Sequence, residues 1–84
     1  MHNIISVTVL EPYCVQLVFD DGLVKTVDLR PLLYGPIFEP LLDAAEFARV
    51  QVDPVLGTIV WPNGADFSPE FLYNYEPENV TVPN

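Results

Sequence analysis

The chain has 84 residues, half of them apolar, with 3 basic against 12 acidic side chains and a formal net charge of −9. One domain of this size buries roughly 60–65% of its unfolded surface, and so acidic a chain repels phosphate backbones and anionic bilayers, which excludes nucleic acid and membrane surfaces as direct partners. The single cysteine, Cys14, excludes an internal disulfide, no apolar run approaches the roughly 18–20 residues of a membrane span, and no basic, apolar leader opens the chain, so a cytoplasmic location is expected.

The nine prolines punctuate the sequence into short elements. Ile4 to Leu10 alternates as a strand, with Ile5, Val7 and Val9 on one face and Ser6 and Thr8 on the other, ended by Glu11-Pro12. Tyr13 to Phe19 and Leu23 to Leu29 read as two further strands joined through Asp20-Asp21-Gly22. A two-residue turn would set Val15, Leu17 and Phe19 beside Val24, Thr26 and Asp28. A three-residue loop with Gly22 left-handed sets the same trio beside Leu23, Lys25 and Val27, leaving only Lys25 to extend its stem to water. The longer loop is therefore favoured.

Pro31 to Tyr34 suits one helical turn stopped by Gly35, and Asp43-Ala44-Ala45-Glu46 has the form of a capping box opening a short helix through Phe47. Leu41, Leu42 and Phe47 are expected to face the sheet. Val50 to Val52 and Thr58 to Trp61 form a second hairpin around Asp53-Pro54-Val55-Leu56-Gly57. A last helix follows the Ser68 cap and Pro69, running to Tyr75, with Phe67 and Leu72 at the spacing of a hydrophobic staple. From Glu76 to Asn84 the chain reads as a loose tail of a single domain spanning 1–84.

Chemistry is sparse. His2, the only histidine, lies beside a terminus of the kind that usually frays, and Cys14 has no histidine near it in sequence and an acidic background that raises its thiol pKa. No catalytic residue is assigned. Asp20 with Asp21, and Asp66 with Glu70, offer oxygen ligands at a spacing that matches no metal loop, and turn or capping roles account for them, so neither metal nor cofactor is expected. Trp61-Pro62-Asn63-Gly64 fits either an exposed recognition loop, with Tyr73 and Tyr75 one short helix away, or a core tryptophan closing the sheet against that helix. On the first alternative the binding residues are Trp61, Asn63, Asp66 and Tyr73.

Phe19-Asp20-Asp21-Gly22, Asp28-Leu29, the series Phe38, Leu41, Phe47, and Gly57 to Asp66 followed by Pro69, Glu70, Leu72 and Tyr73 together resemble a small bacterial family catalogued as domain of unknown function 2442. The resemblance covers nearly the whole chain and implies a compact α+β fold with an antiparallel sheet and no assigned catalytic residue. Some members of that family continue into a helix-turn-helix, for which these residues hold no match. Others look like one half of a two-gene pair, which suggests an antitoxin beside a small basic partner.

The expected fold is α+β: two hairpins and the first strand in one antiparallel sheet of about five strands, covered on one face by short helices. The expected function is a non-enzymatic protein-binding module, antitoxin-like toward a small basic protein, because the chain is acidic, rich in apolar residues and without a catalytic constellation. A small enzyme or ligand-binding domain using carboxylates near Asp66 is the alternative. Self-association is also expected, through the uncharged first strand, with the acids after Asp53 lying away from the contact.

Overall fold

A computed structural model describes residues 2–76, so of the expected tail only Glu76 lies within the described residues. β1 (Ile4–Glu11), β2 (Cys14–Phe19) and β3 (Val24–Asp28) form an antiparallel sheet in that order. The β1–β2 register passes from Ile4↔Phe19 to Ser6↔Val18, which leaves Ile5 as an extra residue. Such a bulge resets the alternation of faces. Ile4 therefore enters the core at 1% exposure, while Ile5 turns out at 60%. Val7 and Val9, opposite Leu17 and Val15, pack against the core. The inward set is Ile4, Val7 and Val9, a correction to the expected Ile5, Val7 and Val9.

β1 and β2 turn through Pro12-Tyr13, and Tyr13 has φ 74°, a left-handed conformation that costs a non-glycine residue roughly 1–2 kcal/mol. Its ring is well anchored: the hydroxyl donates to the Leu42 carbonyl, the ring meets Phe47 edge-on, and the Arg30 guanidinium lies 5.7 Å above it. The β2–β3 loop has the predicted three residues. Phe19 N–H donates to Leu23 O, Gly22 N–H to Phe19 O, and Gly22 has φ 94°. Leu17 accordingly pairs with Lys25 and Val15 with Val27. Lys25 carries its stem across the inner face, and its Nζ donates to the carbonyls of Leu72 at 3.0 Å and Tyr73 at 2.7 Å.

Two 3₁₀ turns, Arg30–Leu32 and Glu39–Leu42, lead into the short helix α1 (Ala44–Phe47). Asp43 caps it through Ala45 N–H at 2.9 Å, while Glu46 turns to Arg49 at 3.2 Å. β4 (Gln51–Asp53) and β5 (Thr58–Val60) form the second hairpin, whose loop is braced by Asp53 Oδ1 accepting from Val55 N–H at 2.9 Å. All five expected strands are present and antiparallel, but they divide into sheets of three and two. The junction is the backbone bond from Ile4 N–H to Gly57 O at 2.8 Å. Beyond it β1 forms no strand ladder with β4 or β5 among the described residues. Gly57 has φ +69°, and a Cβ there would meet Asn3 Oδ1 at 2.3 Å, so only glycine closes this corner.

α2 (Pro69–Asn74) starts as predicted, with Ser68 Oγ accepting from Phe71 N–H at 3.2 Å. Leu72 is fully buried, whereas Phe67 meets the helix by stacking on Phe71. The core gathers Phe19, Leu29, Phe47, Ile59, Trp61 and Leu72 between the sheets and the helices. Trp61 is 3% exposed, and its indole N–H donates to Phe47 O at 2.9 Å, which satisfies its polar edge and settles the two sequence alternatives in favour of the core. The architecture is a small α+β fold.

Candidate functional site

α2 separates two surfaces of opposite chemistry. On one side the residues after the N-terminus dock against it. The His2 ring stacks on Tyr73 with centroids 3.5 Å apart, and its Nδ1 lies 2.9 Å from Glu70 Oε1, while the His2 backbone N–H donates to the same carboxylate. The Tyr73 hydroxyl donates to Asp21 Oδ2 at 2.5 Å, and Asp21 also accepts from Leu23 N–H at 2.9 Å. The Asp21 carboxyl is held below the usual range, chiefly by the Tyr73 hydrogen bond and then by the Leu23 amide. Glu70 is lowered by the His2 ring and then by the His2 amide. Tyr73 moves upward because the phenol proton is already shared with Asp21. The cluster is a clamp that ties the residues after the N-terminus and the β2–β3 turn to α2.

The other side is apolar. Phe38, Phe67, Phe71 and Tyr75 form a ladder of stacked rings, with successive centroids at 4.8, 6.3 and 5.3 Å and interplanar angles of 25°, 14° and 27°. Beside it opens a groove of about 490 Å³ walled by Leu32, Tyr34, Phe38, Asp66, Phe67 and Phe71. Tyr34 is 71% and Phe71 43% exposed. Asp66 reaches this place because its backbone forms an isolated bridge with Val60, turning the chain back past the end of β5. Its carboxylate has no hydrogen-bond or ion-pair partner among the described residues.

The four sequence-nominated residues thus separate. Asp66 lies in the groove. Trp61 lies beneath it, edge-on to Phe67 at 5.9 Å, and supports the wall without presenting a face. Asn63 is structural: its Nδ2 donates to Ile37 O at 2.9 Å and its Oδ1 accepts from Ala65 N–H at 3.0 Å, tying the turn to the segment that carries Phe38. Tyr73 belongs to the clamp across the helix. Sequence reasoning missed Tyr34, Phe38 and Phe71 as groove residues and His2 as a docked one. The four-residue spacing of Phe67, Phe71 and Tyr75 carried the signal for three of the ladder's four rings; Phe38 and His2 arrive by long-range contacts that no local pattern announces.

The Cys14 thiol is pushed up, first by burial and then by Asp28 and Glu11, so it is not an activated nucleophile. It is a free cysteine. Among the described residues, no group of three or more His, Cys, Asp and Glu is placed to hold a metal ion, and no helix is long and apolar enough to cross a membrane.

Residues 4–78 match the family model described as Protein of unknown function (DUF2442). Nothing among the curated proteins or the solved structures matches the chain. The match takes in all five strands and both α-helices, and by it the chain belongs to the DUF2442 family.

Proposed function

We propose that the protein is a non-enzymatic protein-binding module whose contact surface is the aromatic groove beside α2, and that its partner is a small basic protein in the manner of an antitoxin and its toxin. The observation that carries this reading is the groove itself. Large aromatic side chains left half-exposed beside one another are enriched at protein interfaces and are uncommon on a surface that meets only water. A net charge of −9 steers a basic partner toward the chain and repels acidic ones.

The test is recovery of a partner from native lysate on the wild-type protein and on the double variant Tyr34→Ser/Phe71→Ser. A small basic protein retained in stoichiometric amount by the wild type and lost by the variant is the expected result. Equal retention by both, or none by either, overturns the reading.

A ligand-binding or enzymatic site using Asp66 is the second reading, because about 490 Å³ lies within the usual range of roughly 300–1,000 Å³ for small-molecule sites. Self-association has its own support in Ile5, 60% exposed, and Leu10, 52% exposed, both on the edge strand β1. Sedimentation of the purified chain at low and high salt separates a homodimer from a monomer that awaits another protein.

A further inference from the structure

The groove presents two things to a visitor: the Tyr34 ring, 71% exposed and outside the stacked ladder, and one carboxylate. Both attract a cation, the ring through its quadrupole and the carboxylate through its charge. The chain has only three basic residues, and each is engaged elsewhere. Lys25 Nζ closes the C-terminal end of α2 on the carbonyls of Leu72 and Tyr73. Arg30 lies over the Tyr13 ring at 5.7 Å. Arg49 meets Glu46 at 3.2 Å. His2 is stacked on Tyr73 against Glu70, on the far side of the helix. No cation of the described chain serves Asp66, so the groove's charge is left for something brought from outside.

We propose that the groove seats an arginine side chain of the basic partner, with the guanidinium plane against the Tyr34 ring, which stands outside the stacked ladder, and its N–H groups donating to the Asp66 carboxylate. Arginine fits better than lysine on three counts. Its planar head lies flat on a single aromatic face, it offers two parallel N–H donors to one carboxylate, and it is less strongly hydrated than an ammonium, so it sheds water more readily on entering an apolar groove. The methylene stem lies along Leu32 and Phe38, where a shorter or branched side chain leaves space unfilled. This assignment rests on the protein-binding reading and names the residue that the surface recognises.

The probe is acetyl-arginine amide, titrated into the folded protein at constant ionic strength, with the aromatic ring protons followed by NMR. Acetyl-lysine amide and the citrulline analogue, which keeps the shape and loses the charge, are the comparisons. A saturable shift confined to the rings of Tyr34, Phe67 and Phe71, with a dissociation constant on the order of 10–50 mM, is expected for one cation–π and one carboxylate contact. Asp66→Asn should weaken it about fivefold or more, whereas Glu11→Gln, which removes one charge outside the groove, should leave it unchanged. Citrulline should bind at least about fivefold more weakly than arginine. Absence of saturation to about 200 mM, equal binding of citrulline, or equal loss in the two charge variants each overturns the proposal. Because the probe replaces the partner, a failure here removes the arginine seat and leaves the capture experiment to decide the protein-binding reading on its own.

Discussion

The two sides of α2 differ in whether their interactions are completed within the chain. Toward the β2–β3 turn the polar groups pair within the chain, with Tyr73 on Asp21, His2 on Glu70 and the helix carbonyls on Lys25. Toward the groove the ladder rings stack on one another, Tyr34 and Phe71 stay partly open to water, and the Asp66 carboxylate has no hydrogen-bond or ion-pair partner among the described residues. Both sides are built from residues of one six-residue helix and its flanks. On the proposed reading, stability belongs to one face and recognition to the other, and substitutions on them should separate in kind as well as in size.

The largest effect belongs to the residue that joins the helix to the core. Leu72, fully buried, loses its side-chain contacts and leaves a cavity on replacement by alanine, so Leu72→Ala should cost about 2–5 kcal/mol in denaturant unfolding. A loss below about 1 kcal/mol would show that the core collapses around the gap. Lys25→Met keeps the apolar stem and deletes the two donors to the helix end, an expected loss of about 1.5–3 kcal/mol because charged donors to partly buried carbonyls are costly to remove. Lys25→Arg should recover part of it.

On the open side, Phe71→Ala should lower stability by only about 1 kcal/mol, since the ring already gives nearly half its surface to water. The same substitution should abolish partner capture. A Phe71 variant that unfolds the protein would erase the distinction between the two sides.

The smallest effect concerns acid. Asp21 and Glu70 both titrate below their ordinary values in the folded protein. For a carboxyl lowered by folding, the contribution to stability is complete above the unfolded pKa and disappears as pH falls through the folded one. Unfolding midpoints should therefore decline below about pH 4, and Glu70→Gln should flatten that decline without touching the neutral-pH groove. Both carboxylates are exposed and screened, which keeps the effect modest.

Local chemistry accounts for what the sequence made legible. The Asp43 and Ser68 caps each depend on bonds spanning two or three residues, and the Gly22 loop follows from the parity of side chains on two adjacent strands. The strand count and the α+β class follow likewise. Parity failed at Ile5, where the register is decided by the facing strand, and the single sheet divides into two where, among the described residues, only the Ile4–Gly57 backbone bond joins β1 to the second hairpin. Trp61 was undecidable locally, because only the approach of the Phe47 carbonyl, 14 positions away, gives the indole N–H a buried partner. The clamp lay further out of reach: His2 and Glu70 are 68 positions apart, and Asp21 and Tyr73 are 52. A fraying terminus is the correct expectation for a histidine at position 2 until a helix from the far end of the chain arrives beneath it.

The sequestered indole at Trp61 also gives the molecule a built-in optical reporter. It is the chain's only tryptophan, shielded from solvent and held between Phe47 and Phe67. Its emission should be blue in the native protein and move to the red when the core opens, with no second indole to dilute the change. Because the same ring touches the back of Phe67, a guest that shifts the ladder should alter intensity without moving the wavelength. A single cuvette can then tell a filled surface from a lost fold.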